Sequence, residues 1–167
     1  MIYNRVNLPI NLLSYNTTLD HRKMNASIQI TKIWFDNDMV ELEICVSDGT
    51  SKFSNKVYVG YSDLDEAVQK LDVFKKHVHG GLIDIRFGEF GPEWASGAFH
   101  ARFHFPKPGK LFITCKLQSE FSDFSNKNVA SEATLFIQTQ VGLLDNFIRE
   151  LKSLNAGNRN DAHLEAI

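Results

Sequence analysis

Two histidines, His100 and His104, are the first residues whose type and spacing suggest metal binding. In a helix, a spacing of four residues would place both imidazoles on one metal ion. The surrounding residues alternate between apolar and polar, however, which predicts a strand. At about 3.3 Å per residue, the two Cα atoms of such a strand are roughly 13 Å apart, whereas zinc needs each nitrogen at about 2 Å. We therefore expect no metal site here, and we identify no metal or cofactor site elsewhere in the sequence.

Asp84 and His100 lie on the polar side of two consecutive predicted strands, together with Arg86, Arg102 and His104. An Asp–His pair on one sheet face could transfer protons. Cross-strand charged pairs also stabilise the exposed face of a sheet without any catalytic role. We expect the structural or interfacial role, and a small acid–base enzyme that uses Asp84 and His100 stays open as an alternative.

The motifs of the large enzyme classes are absent from the sequence. There is no G-x-S-x-G nucleophile turn, no H-E-x-x-H zinc motif, no phosphate-binding glycine loop and no C-x-x-C pair. The two cysteines, Cys45 and Cys115, fall inside predicted strands without metal-ligand spacing, so we expect two free thiols. We predict that the protein is not an enzyme, and we assign no catalytic residue.

Charge is distributed unevenly along the chain. Between Asp36 and Asp72 there are nine acidic residues and three lysines, whereas Val73 to Gln118 contains seven basic and three acidic residues. A dipolar molecule of this kind can steer toward a charged partner. The alternative is that the acids only solvate a strand face and a helix N-terminus.

Four of these acids are the candidate contacts for a basic partner. Two are predicted on a turn and two on the polar side of the following strand, so that they could be presented together: Asp36, Asp38, Glu41 and Glu43. Trp94, in a predicted loop, is the candidate anchor of the interface, because a loop aromatic can be desolvated at low entropic cost. Packing of this ring onto the core is the alternative.

Length and composition fit one globular domain. The 167 residues are 43% hydrophobic and 23% charged, which suits a chain that can bury a full core. The net charge of −2 is not that of a dedicated nucleic-acid binder. No apolar run approaches the roughly 20 residues that a spanning helix needs, and the first residues show no signal-peptide pattern. We expect a cytoplasmic protein with no nucleic-acid or membrane partner.

Apolar and polar residues alternate along most of the chain, which predicts an α+β fold. The expected architecture is a largely antiparallel sheet of about seven strands, as a sandwich or a strongly curved sheet, with two helices. The first strand should place Ile28, Ile30 and Trp34 on one face, and Ser62 should cap the first helix. Strands are predicted at residues 26–35, 40–46, 53–61, 82–87, 99–105, 111–117 and 132–141, and helices at about 62–78 and 142–154.

Both ends of the chain lack a regular pattern. Residues 1–23 are predicted to form an N-terminal extension, with an edge strand at residues 6–13 as the competing interpretation. Residues 156–167 are polar and are predicted to fray. The single α+β domain is therefore predicted to span residues 24–155.

Two segments carry a resemblance to a known group of proteins. They are residues 88–105, GEFGPEWASGAFHARFHF, and residues 143–151, LLDNFIREL. The chain resembles, over about residues 24–154, a poorly characterised bacterial family that is similar to the immunity proteins of contact-dependent inhibition and polymorphic toxin systems. The resemblance implies a cytoplasmic protein that binds and blocks one toxin domain. It assigns no functional residue, because immunity proteins share no universal motif.

The sequence therefore predicts a non-enzymatic protein-binding inhibitor, most simply an immunity protein that neutralises a cognate toxin domain. An uncharacterised ligand-binding or structural domain is the alternative, since polar sheet faces also suit those roles. A toxin gene beside this one would favour the inhibitor, and a metabolic operon would favour the alternatives.

Overall fold

The computed structural model describes residues 25–91 and 96–167, and the predicted extension at residues 1–23 lies outside these ranges. Neither helix in the described part is long and apolar enough to cross a membrane. The strands are β1 (Ser27–Phe35), β2 (Met39–Ser47), β3 (Lys52–Gly60), β4 (Leu82–Gly88), β5 (Ala98–Lys107), β6 (Lys110–Gln118), β7 (Ser122–Phe124), β8 (Lys127–Val129), β9 (Glu132–Thr139) and β10 (Asp161–Glu165), and the helices are α1 (Tyr61–Phe74) and α2 (Val141–Asn155).

Eight of these strands form two four-stranded antiparallel sheets. Sheet A has the order β10-β1-β2-β3 and sheet B the order β4-β5-β6-β9, while β7 and β8 form a separate hairpin. The predicted α+β class and the antiparallel, roughly sandwich-like architecture are confirmed. The described residues contain ten strands rather than about seven, because the predicted loop after β6 contains the β7–β8 hairpin and the C-terminal residues form β10.

A single hydrophobic core receives side chains from both sheets and both helices. In most strands of the two sheets, alternate residues are buried, as for Leu42 and Ile44 of β2. In α1 the buried residues recur at helical spacing, and Phe74 at its end stacks on Phe105 of β5 with ring centroids 4.8 Å apart. Since the apolar side chains of each strand face this core, the side chains at the alternate positions face solvent.

Helix α1 begins at Tyr61, directly after β3, and its N-cap is Gly60 without any side-chain cap hydrogen bond. The prediction that Ser62 caps the helix is wrong, because Ser62 lies within the first turn. The Tyr61 hydroxyl donates to the backbone carbonyl of Asp36 at 3.1 Å. This contact joins the start of α1 to the β1–β2 turn.

The C-terminal residues form a strand instead of fraying. β10 pairs antiparallel with β1, with Thr31 opposite Asp161 and Ser27 opposite Glu165. The side chains of Ala162 and Leu164 are completely buried. The domain therefore continues beyond the predicted boundary at residue 155, because two apolar side chains dock into the core and hold the tail.

Asn55 of β3 ties the two sheets together. Its buried side-chain amide donates to the backbone carbonyls of Ala98 at 2.9 Å and Gln118 at 3.0 Å. Gly97 lies against the same strand with φ 106°, and a Cβ at this position would be 2.1 Å from the carbonyl oxygen of Lys56. Only glycine permits this close approach of the chain to β3.

Candidate functional site

A β-bulge in β1 reverses the facing of the end of this strand. The register between β1 and β2 shifts between Lys32 and Trp34, and Trp34 lies opposite Glu41. One extra residue moves the following side chains to the other face of a sheet. Trp34 is consequently on the outer face of sheet A and 45% exposed. The prediction that it shares a face with Ile28 and Ile30 is wrong.

The outer face of sheet A carries an exposed apolar cluster at the β1–β2 hairpin. Trp34 contacts Tyr58 of β3 edge to face, with ring centroids 6.1 Å apart. Met39, at the start of β2, has the same outward parity and is 39% exposed, while Tyr58 is 44% exposed. Phe35 belongs to the other face, because it lies opposite the buried Val40, and Lys32 lies over its ring at 5.1 Å.

The four predicted contact acids lie in the same β1–β2 hairpin: Asp36 and Asp38 are exposed in the turn, and Glu41 and Glu43 are half-buried on the outer face of β2. Glu41 lies between Trp34 and Tyr58 on the neighbouring strands. Glu43 lies opposite Lys56 of β3. We define the hairpin surface as these four acids with the three apolar residues Trp34, Met39 and Tyr58.

Asp36 also holds the turn. Its Oδ1 accepts hydrogen bonds from the backbone N–H groups of Asp38 at 2.8 Å and Met39 at 2.9 Å. These bonds, that of Met39 first, hold the pKa of the Asp36 carboxyl below its ordinary value. Asp36 therefore contributes to the conformation of the hairpin as well as to its charge. Asp38 is exposed in the same turn, so its substitution tests charge with less structural change than that of Asp36.

Trp94, the predicted anchor, lies outside the described residues. The structure places two other aromatic side chains, Trp34 and Tyr58, beside the acids. The sequence contained one signal of this arrangement. A regular strand would carry Lys32 on the core face with Ile28 and Ile30, and a charged side chain at such a position indicates that the strand is interrupted nearby.

The outer face of sheet B contains the predicted Asp84–His100 pair. Asp84 accepts hydrogen bonds from Arg102 Nε at 2.9 Å and Nη2 at 3.0 Å, and His100 Nε2 lies 2.7 Å from Asp84 Oδ1. The bonds from Arg102 are the main cause that lowers the pKa of Asp84 to about 2. Asp84 therefore stays ionised at neutral pH and joins β4 to β5 through both basic side chains.

The remaining candidate ligands are dispersed. Among the residues that the structure describes, no three His, Cys, Asp or Glu side chains are grouped so that they could hold a metal ion. Both cysteines are free. Burial raises the pKa of the Cys115 thiol to about 12, so this group is not a nucleophile near neutral pH.

Comparisons of the chain with protein-family models, with curated proteins and with solved structures found no match.

Proposed function

We propose that this protein is a non-enzymatic, protein-binding inhibitor that docks a basic partner through the hairpin surface. The observation that carries the proposal is the pairing of Trp34 and Tyr58, each nearly half exposed, on either side of Glu41. A few residues near the centre of a protein interface carry most of its binding energy, and Trp and Tyr are enriched among them. Acids around them select a partner of opposite charge.

The partner that we propose is a cytoplasmic toxin domain of the kind blocked by immunity proteins. The resemblance of residues 88–105 and 143–151 to that group supports this class. The charge of the hairpin surface supports a toxin with a basic substrate-binding face, such as a nuclease. A nuclease contacts phosphates through Lys and Arg, and an acidic surface with an aromatic centre can cover such a face.

Affinity and association rate have separate sources at this surface. Trp34 and Tyr58 offer large, rigid contact areas that lose little side-chain entropy on binding. Truncation of such an anchor costs about 2 kcal/mol or more, which is roughly thirtyfold in Kd. The exposed acids mainly accelerate the encounter, and salt screens their effect.

Co-expression with the proposed partner, a toxin domain from a neighbouring gene, tests the proposal. The unaltered protein should protect cells from the toxin, and the double variant Trp34→Ala with Tyr58→Ala should lose protection. Phe136→Ala is the matched control, because Phe136 is also an exposed aromatic residue, 69% exposed, but lies on sheet B. Thermal melts of all variants establish that each one folds.

Full protection by the Trp34 and Tyr58 double variant would remove the hairpin surface from consideration. The absence of both a neighbouring toxin gene and a tightly bound basic protein would contradict the inhibitor itself. In that case, a ligand-binding domain becomes the better account.

A further inference from the structure

The outer face of sheet B carries an open depression with a volume of about 1050 Å³, which we call the sheet B basin. One row of side chains crosses its floor from β4 to β9 and consists of Arg86, His100, Lys116 and Thr134. Arg102, in the next row, also lines the basin. The basin and the hairpin surface are on different sheets.

Two cations of the basin are free to meet a ligand. Arg86 and Lys116 are exposed, and within the described ranges neither of them forms an ion pair. They lie on β4 and β6, on either side of His100, so their Cα atoms are about 10 Å apart. Side chains of this length can converge on one anionic group between them. Asp84 holds the nearby Arg102 in place with two hydrogen bonds.

A buried glutamine builds one end of the basin. The side chain of Gln118, which is 4% exposed, accepts from the backbone N–H of Gly91 at 2.7 Å and donates to Glu132 Oε1 at 2.6 Å. It thereby fixes both the segment that carries Glu89 and Phe90 and the carboxylate of Glu132. Phe90 is 44% exposed. This end of the basin therefore presents one aromatic ring and two carboxylates.

We propose that the sheet B basin binds a small phosphate ester of nucleotide size. The row with Arg86 and Lys116 suits the phosphate, since charge-assisted hydrogen bonds to phosphate are among the strongest available to a protein. Phe90 offers a face on which a flat ring stacks. The carboxylates of Glu89 and Glu132 accept hydrogen bonds from sugar hydroxyls or ring amines.

The charge pattern distinguishes this ligand from two others. A bare inorganic anion would use the cations but leave the aromatic end of the basin without a contact. A long nucleic-acid strand would carry further phosphates toward Glu89 and Glu132, where like charges repel them. A ligand with one anionic end and one hydrogen-bond-donating end matches both halves of the basin.

Calorimetric titration of the full chain with the four common ribonucleoside 5′-monophosphates tests this proposal. At least one should bind saturably with a Kd below about 1 mM, and its nucleoside should bind at least about tenfold more weakly, because the charge-assisted bonds are lost. Arg86→Gln and Lys116→Gln should each raise the Kd for the monophosphate by about tenfold or more. Lys110→Gln, which changes an exposed lysine of β6 outside the basin, is the matched control.

Phe90→Ala separates the two halves of the basin. This substitution should weaken the binding of the monophosphate and leave the binding of inorganic phosphate unchanged. The proposal is overturned by the absence of saturable binding for all four monophosphates, or by unchanged affinity in both cation variants. Tighter binding of a short single-stranded oligonucleotide than of any mononucleotide would also overturn it, in favour of nucleic acid. Trp34→Ala should not alter binding, so this result is independent of the inhibitor proposal.

Discussion

Neighbouring residues of β5 show how strand parity decides the environment of a side chain. Phe103 is 2% exposed, and its ring contacts Phe74 of α1 edge to face with centroids 6.2 Å apart. His104, the next residue, is half-buried on the outer face of sheet B. The same alternation that predicted the strand therefore predicts opposite consequences for two adjacent substitutions.

Phe103→Ala should lower the free energy of unfolding by about 3–5 kcal/mol, because it removes a ring from the centre of the core and leaves a cavity. His104→Ala should lower the free energy of unfolding by less than about 1 kcal/mol, since its side chain lies outside the core. Urea titrations of both variants measure the difference. Similar losses in the two variants would mean that the facing of β5 is wrong.

Asp84 should make the free energy of unfolding depend on pH under acidic conditions. Its pKa falls from 3.8 to about 2 on folding, so the folded protein binds this proton more weakly than the unfolded chain. The stabilisation is complete above about pH 4 and is lost as the pH falls through about 2. The difference in free energy of unfolding between the unaltered protein and Asp84→Asn should be constant near neutral pH and shrink over that acid range. A difference in the free energy of unfolding that does not change with pH would contradict the ion pairing of Asp84 with Arg102 and His100.

At the scale of elements, the sequence was informative wherever one face of a strand is buried. The alternation around Leu42 and around Phe103 predicted β2 and β5 to within a few residues. β10 was missed because its five residues contain only two buried ones, Ala162 and Leu164, too few to form a recognisable period. Its pairing with β1, at the other end of the described domain, stabilises it.

The candidate site was predictable only in part, for a similar reason. Acids on a turn and on the polar side of a strand follow from local patterns, and the structure places Asp36 and Asp38 in the β1–β2 turn and Glu41 and Glu43 on the outer face of β2. The exposure of Trp34 depends instead on the bulge after Lys32, which is set by the pairing of β1 with β2. Pattern analysis that assumes a regular strand assigns every residue after a bulge to the wrong face.

Leu164→Ala tests whether β10 is part of the core. The side chain is completely buried, so its truncation should cost about 2–5 kcal/mol of unfolding free energy. His163→Ala, the neighbouring change on the exposed parity, is the control and should cost less than about 1 kcal/mol. Equal unfolding midpoints in guanidinium chloride for the two variants would indicate that the tail is not docked.

At the scale of the whole molecule, the uneven charge of the sequence becomes a division between surfaces. The acids Asp36, Asp38, Glu41 and Glu43 lie at one end of sheet A, whereas Arg86 and Lys116 lie on the outer face of sheet B. Both sheets bury their other faces in one core. A charged molecule that approaches the protein therefore meets a different local charge at the two surfaces.

Binding kinetics with the proposed partner, a purified basic toxin domain from a neighbouring gene, test the central claim most directly. At low salt, Asp38→Lys with Glu41→Lys should slow association by about tenfold, and added salt should reduce that effect. Trp34→Ala should speed dissociation by roughly thirtyfold, since it removes the anchor, while Phe136→Ala should change neither rate. Association and dissociation rates that are the same in all of these variants as in the unaltered protein would contradict the assignment of the hairpin surface as the interface.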